Sequence, residues 1–134
     1  MIYTNSDGGA RGNPGPGAIG VVIRDNEKIL TKYSAKIGKF ITNNVAEYTA
    51  LIKAMEMVSK ITNEEITCNL DSELVVKQLN KEYKVRDPKM IELFLVVQAL
   101  TRRFERVNFK HVPRDDKFQM IADELVNEEL DKKD

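Results

Sequence analysis

The 134-residue sequence holds one cysteine, one histidine, no surplus of either charge and no apolar run of bilayer length. Each scarcity removes a class of protein. Cys68 alone cannot form an internal disulfide, and its apolar-flanked place in residues 66–70 marks a buried thiol suited to a reducing compartment. A single histidine leaves no His/Cys cluster of the zinc-binding kind. Lysine and arginine number 21, as do aspartate and glutamate, so no global positive field draws the chain onto nucleic acid. That balance decides little, because a protein that gathers carboxylates in one cleft carries its cations elsewhere. No stretch approaches the ~20 apolar residues of a membrane-spanning helix. Residues 1–7 also lack the basic start and apolar middle of a secretory signal. A cytoplasmic protein without membrane contact is expected. Its length suits one domain over residues 1–134, with 131–134 a charged, frayed tail.

What is present is a change of hydrophobic period along the chain. Residues 18–24 (AIGVVIR) are β-branched and apolar, and 28–37 alternate, with Asp25, Asn26 and Glu27 as the turn between them. Residues 2–7 form a further strand, poor in propensity because of Asn5 and Ser6. From Asn44 the period becomes helical through about Lys60, with Thr42, Asn43 and Asn44 supplying capping chemistry. Residues 66–71 read as a strand ending in an acid, after which Ser72 opens a second helix. Asp87-Pro88 starts a third, with apolar positions reaching Phe104. Residues 106–112 read as a strand, 113–117 as a polar loop and 118–130 as a last helix. This order predicts an α/β fold in which a hairpin feeds a partly parallel sheet.

Four acids stand where chemistry is possible. Asp7 ends the first strand before Gly8-Gly9 and the turn-rich segment 11–17. It reads as a turn former, or as an acid whose glycines let the backbone approach a ligand. Glu47 falls in the first turn of its helix at the edge of the apolar stripe, where an acid near a helix N-terminus needs no function. Asp71 sits at a strand-to-helix transition, as a cap or at a crevice where ligands gather. Asp123 borders the apolar arc of the last helix. Brought together, four carboxylates repel unless a cation intervenes. Oxygen-only ligands favour a hard ion, magnesium or manganese, and two-metal phosphodiester hydrolysis is the chemistry that fits.

The motifs Asp7-Gly8-Gly9 with 11–17 (RGNPGPG), 42–47 (TNNVAE), 71–75 (DSELV) and 111–114 (HVPR) followed by 122–127 (ADELVN) occur in order. Together they resemble type 1 ribonuclease H, particularly its compact prokaryotic members, over nearly the whole chain. The resemblance implies a five-stranded mixed sheet, three strands antiparallel and two more parallel, flanked by about four helices. It implies an endoribonuclease that cuts the RNA strand of RNA/DNA hybrids and leaves 5′-phosphate and 3′-hydroxyl ends. Two Mg2+ ions, or Mn2+, would be held with Asp7 bridging both, Glu47 and Asp71 on the second and Asp123 on the first. His111, the only histidine, would assist proton movement or product release. The chain departs from the family here, because His111 to Asp123 is two residues longer than usual and the loop lacks its asparagine. A strand-end packing role for His111 therefore stays open.

By the same resemblance, Gly8, Gly9, Arg11, Asn13, Asn43 and Asn44 would lie along the minor groove of the hybrid, Thr42 near a phosphate and Ser72 against substrate. The family's larger members carry a basic protrusion between the second and third helices, and residues 81–87 are too short for one. A monomer without an obligate protein partner is expected. The rival readings are a nuclease for double-stranded RNA or RNA-DNA junctions, and a binding module that kept the fold without the chemistry. A nucleotide-phosphate loop is excluded, since residues 8–17 lack the Gly-Lys-Ser/Thr ending.

Overall fold

In the computed structural model, which describes residues 1–133, the glycines after Asp7 do not break the first strand. β1 (Ile2–Ala10) runs straight through Gly8 and Gly9 and pairs antiparallel with β2 (Gly15–Asp25) along its whole length, from Ile2↔Asp25 to Ala10↔Gly17. Both strands are longer than the β-branched residues alone predict, because glycine and alanine in the paired register complete the ladder where propensity is low. The chain turns only over residues 11–14, closed by the Arg11 N–H donating to the Pro16 carbonyl at 2.9 Å. β3 (Lys28–Ile41) pairs antiparallel with β2 and likewise outruns the expected strand, with register shifts around Gly17.

β1 is the centre of the sheet, whose order is β3-β2-β1-β4-β5. On its other side lies β4 (Ile66–Leu70), parallel and followed by β5 (Val107–His111), also parallel. The expected three antiparallel and two parallel strands are therefore found. The last β1–β4 pair is Asn5↔Asn69, so Asp7 lies just beyond the parallel ladder, where β1 and β4 part.

α1 (Asn43–Val58) and α4 (Lys117–Asp131) cover opposite faces. α1 begins at Asn43 because the Thr42 hydroxyl accepts the Val45 N–H at 3.2 Å, which places Glu47 in the second turn rather than the first. α2 (Glu73–Leu79) is capped by Ser72 and α3 (Pro88–Thr101) by Asp87. α3 ends at Thr101, short of Phe104, which is buried from the following turn. The principal core lies between the sheet, α1, α2 and α3, and includes Val21, Ile23, Leu51, Met55, Leu70 and Val97. Cys68 is unpaired and wholly buried, and burial pushes its thiol up to about 12, far from reactivity at neutral pH. α4 continues through Asp131, one residue past the expected end, and Lys132 N–H bonds back to Glu129. Of the expected frayed tail, Asp134 lies outside the described residues. No helix among the described residues is long and apolar enough to cross a membrane.

Candidate active site

Two glycines explain why acids distant in sequence meet. A Cβ on Gly8 would stand 2.2 Å from the backbone carbon and oxygen of Ala46, so α1 presses directly on β1 at this point. That contact delivers the next residue, Glu47, to the strand. Its Oε1 accepts the Gly8 N–H at 3.0 Å. On the opposite face a Cβ on Gly20 would stand 2.3 Å from the carbonyl oxygen of Ala122, which seats α4 with Asp123 next in line. Gly20 is the register partner of Asp7. The close approach enabled by Gly8 thus serves a helix of the same chain, although Gly8 and Gly9 also line the cleft beside it.

Asp7, Glu47 and Asp71 each present a carboxylate oxygen within 4.8 Å of the others, the one such group among the described residues. Asp7 and Glu47 are both only 7% exposed. Burial raises the Asp7 carboxyl to about 7, against a lowering by the adjacent Glu47 carboxyl, and nearby Asp71 and Asp123 raise it further. Burial, then the charge of Asp7, lifts Glu47 well above the ordinary carboxylate range. Glu47 Oε2 is buried without a hydrogen-bond partner. Asp123 on α4 lines the same cleft of about 600 Å³, outside the group of three. Three of the four predicted acids thus form one donor group, and the fourth, Asp123, stands on the wall of the same cleft.

Three carboxylates this close, one of them with a buried oxygen that has no partner, are a donor set that suits a hard cation. Among the described residues, the one cation paired with the cluster is weakly placed. Arg114 Nε lies 3.9 Å from Asp71 Oδ2, with its side chain 83% exposed.

The other predicted residues divide. Gly8, Gly9, Arg11, Asn43, Asn44 and Ser72 line the cleft. Asn13 and Thr42 lie on the adjoining hollow, which Asn44 shares. Asn13 and Asn43 form a small tie: Asn13 Oδ1 accepts the Asn43 N–H at 3.1 Å, and Asn43 Oδ1 accepts the Ala10 N–H at 2.9 Å, joining the glycine-rich turn to the start of α1. Arg11 pairs with Asp131 at 2.6 Å. His111 is exposed at the end of β5, opposite Leu70 in the parallel register, and is not among the residues lining the cleft. Arg114, part of the 111–114 motif, is not among the residues that the family resemblance places against substrate. Its signal was available, a cation in the loop between the last strand and the helix bearing the last acid.

A mixed sheet in this order, with carboxylates gathered where its central parallel strands part and helices seated on glycines across both faces, defines a ribonuclease H-like fold. The family model described as "Reverse transcriptase-like" matches residues 5–129. A bifunctional protein of Mycobacterium tuberculosis is 38% identical over 132 residues, covering 97% of this chain and 35% of that protein. A ribonuclease HI of Halobacterium salinarum is 37% identical over 131 residues, covering 97% and 64%. The chain thus spans about a third of the length of the mycobacterial relative. Among solved structures, LC11-RNase H1 in complex with RNA/DNA hybrid superposes with a TM-score of 0.90 at 43% identity, covering 98% of this chain and 97% of that one. The chain belongs to the ribonuclease H family.

Proposed function

We propose that the protein is an endoribonuclease that hydrolyses the RNA strand of RNA/DNA hybrids, with two magnesium ions between Asp7, Glu47, Asp71 and Asp123. The observation that carries this reading is the convergence of buried carboxylates with one oxygen unpartnered. Asp7, central to the cluster, would be shared by both ions, Glu47 and Asp71 would hold one, and Asp123 would hold the other. Bound there, such ions supply the Lewis acidity that lets water attack a phosphodiester at neutral pH and stabilises the departing 3′ oxygen. The chain's own part is positional. Gly8 N–H and the α1 contact hold Glu47 still, and the sheet holds Asp7 within β1 and Asp71 directly after the end of β4.

Substrate lies along the cleft, with the backbone of Gly8 and Gly9 against the RNA strand and the amides of Asn43 and Asn44 toward the minor groove, where 2′-hydroxyls distinguish RNA from DNA. Arg114 stands at the rim beside Asp71 and is better placed than His111 to meet a phosphate entering or leaving the cluster. The 43% identical relative solved with RNA/DNA hybrid supports this substrate over double-stranded RNA. The chain acts as one domain and a monomer, and the buried thiol of Cys68 suits the cytoplasm.

The test is cleavage of an end-labelled hybrid with and without magnesium. RNA fragments with 3′-hydroxyl ends are expected from the parent and none from Asp7→Asn. Metal-independent cleavage, or equal activity of the variant, rejects the reading.

A further inference from the structure

Asn5 and Gln119 are both wholly buried, and the chemistry above uses neither. Buried amides are costly unless bonded, and these are. Asn5 Nδ2 donates to Gln119 Oε1 at 3.2 Å and to Asp116 Oδ2 at 3.5 Å. Gln119 Nε2 donates to the Ser6 carbonyl at 2.8 Å. Asn5 Oδ1 accepts from Arg24 Nε at 3.0 Å, and the Arg24 guanidinium lies 4.5 and 4.2 Å from the ring centroids of Tyr3 and Phe118. Asp116 Oδ2 also caps α4, accepting the Phe118 and Gln119 N–H groups at 3.1 Å each. The first turn of α4 is therefore tied to β1 and β2 by a polar network rather than by apolar contact alone.

The spacing gives this network its meaning. Asp7 lies two residues beyond Asn5 on the same face of β1, and Asp123 lies four beyond Gln119, one turn along α4. Two strand residues advance about 6.8 Å and four helical residues about 6 Å, so the pairs Asn5/Gln119 and Asp7/Asp123 are successive rungs of one ladder. A third rung follows where a Cβ on Gly9 would meet Val126 at 3.8 Å. Gly20 sets how closely α4 approaches the sheet, and apolar contact is non-directional and fixes no register. Directional amide bonds do fix it.

We propose that Asn5 and Gln119 are positioning residues that set the sliding register of α4 on β1, and thereby place Asp123 against Asp7 for metal binding. The inference rests on the carboxylate reading of the site. Gln119→Met keeps the bulk of the side chain and removes both its hydrogen bonds. Magnesium binding, followed by titration calorimetry without nucleic acid, is expected to weaken about tenfold or more, as when other supports of metal ligands are lost. Ser34→Ala, which cuts the 2.8 Å bond to Glu129 at the far end of α4, is expected to lower the thermal midpoint and leave magnesium affinity unchanged. Should Gln119→Met not fold, Gln119→Asn keeps the amide one methylene short and is expected to weaken magnesium in the same sense. Unchanged affinity in a folded Gln119 variant overturns the register claim. A parent that takes up no magnesium overturns the carboxylate reading and this inference with it, whereas a parent that binds and cuts hybrid while folded variants bind equally well overturns only the register.

Discussion

Asp71 is the member of the carboxylate cluster through which repulsion is most easily relieved without repacking. Its side chain is 11% exposed, and its charge raises both Asp7 and Glu47. Its pairing with Arg114 is long and solvent-screened, so losing it costs little. In Asp71→Asn a proposed metal ligand disappears but the fold loses a repulsive charge. Hybrid cleavage is expected to fall on the order of a thousandfold, a few kcal/mol of lost transition-state stabilisation. The metal-free protein is expected to gain ~1 kcal/mol at pH 8, read by thermal melts in EDTA. Loss of activity with loss of stability would instead mean that Asp71 is a structural cap. At this scale the acids were legible in sequence because their positions at strand ends and helix margins carry a recognisable pattern. Arg114 against His111 was not, because which of two basic residues three apart reaches a cleft depends on the path of the chain after β5, not on residue type.

The elements show why glycine placement was the harder signal. In sequence Gly8 and Gly9 fit either a turn or a close approach to a ligand, yet both lie in β1, and their physical roles differ. A Cβ at Gly8 meets backbone at 2.2 Å, at Gly20 backbone at 2.3 Å, and at Gly9 only a side-chain methyl at 3.8 Å. Backbone in a packed helix cannot rotate away as a side chain can. Gly8→Ala and Gly20→Ala are each expected to cost about 3 kcal/mol in urea unfolding. Gly9→Ala is expected to stay within ~0.5 kcal/mol. Equal costs at Gly8 and Gly9 would show that α1 can be pushed off the strand freely. Gly20 lies inside a run of β-branched residues, and a lone glycine there is the mark of a close backbone approach that sequence patterning does offer. Helix periods, caps at Thr42, Ser72 and Asp87, and the parallel strands were legible because each is written locally. The length of β1 through its glycines was not, since only pairing with β2 makes strand of them.

For the whole molecule the carboxylate cluster reverses the usual dependence of stability on acid. Asp7 titrates near 7 in the fold against an ordinary value of 3.8, and Glu47 is raised as well. Below about pH 4 both the folded and unfolded chains hold these protons, and the groups contribute no difference. Between about 4 and 7 the unfolded chain has released them while the folded one has not, so rising pH favours unfolding, at ~1.4 kcal/mol for each unit of pKa separation. Above 7 the folded Asp7 also ionises, and the slope contributed by this residue flattens. On the proposed reading magnesium would act in the opposite direction, binding the ionised cluster and adding about 2.7 kcal/mol at a hundredfold excess over its dissociation constant. The rise in melting temperature on adding magnesium is therefore expected to be small at pH 5 and to grow through pH 8, and Glu47→Gln is expected to flatten that growth. Melts at pH 5, 6, 7 and 8 with magnesium or EDTA decide the matter. A magnesium increment that is the same at every pH would place the ion away from Asp7 and Glu47.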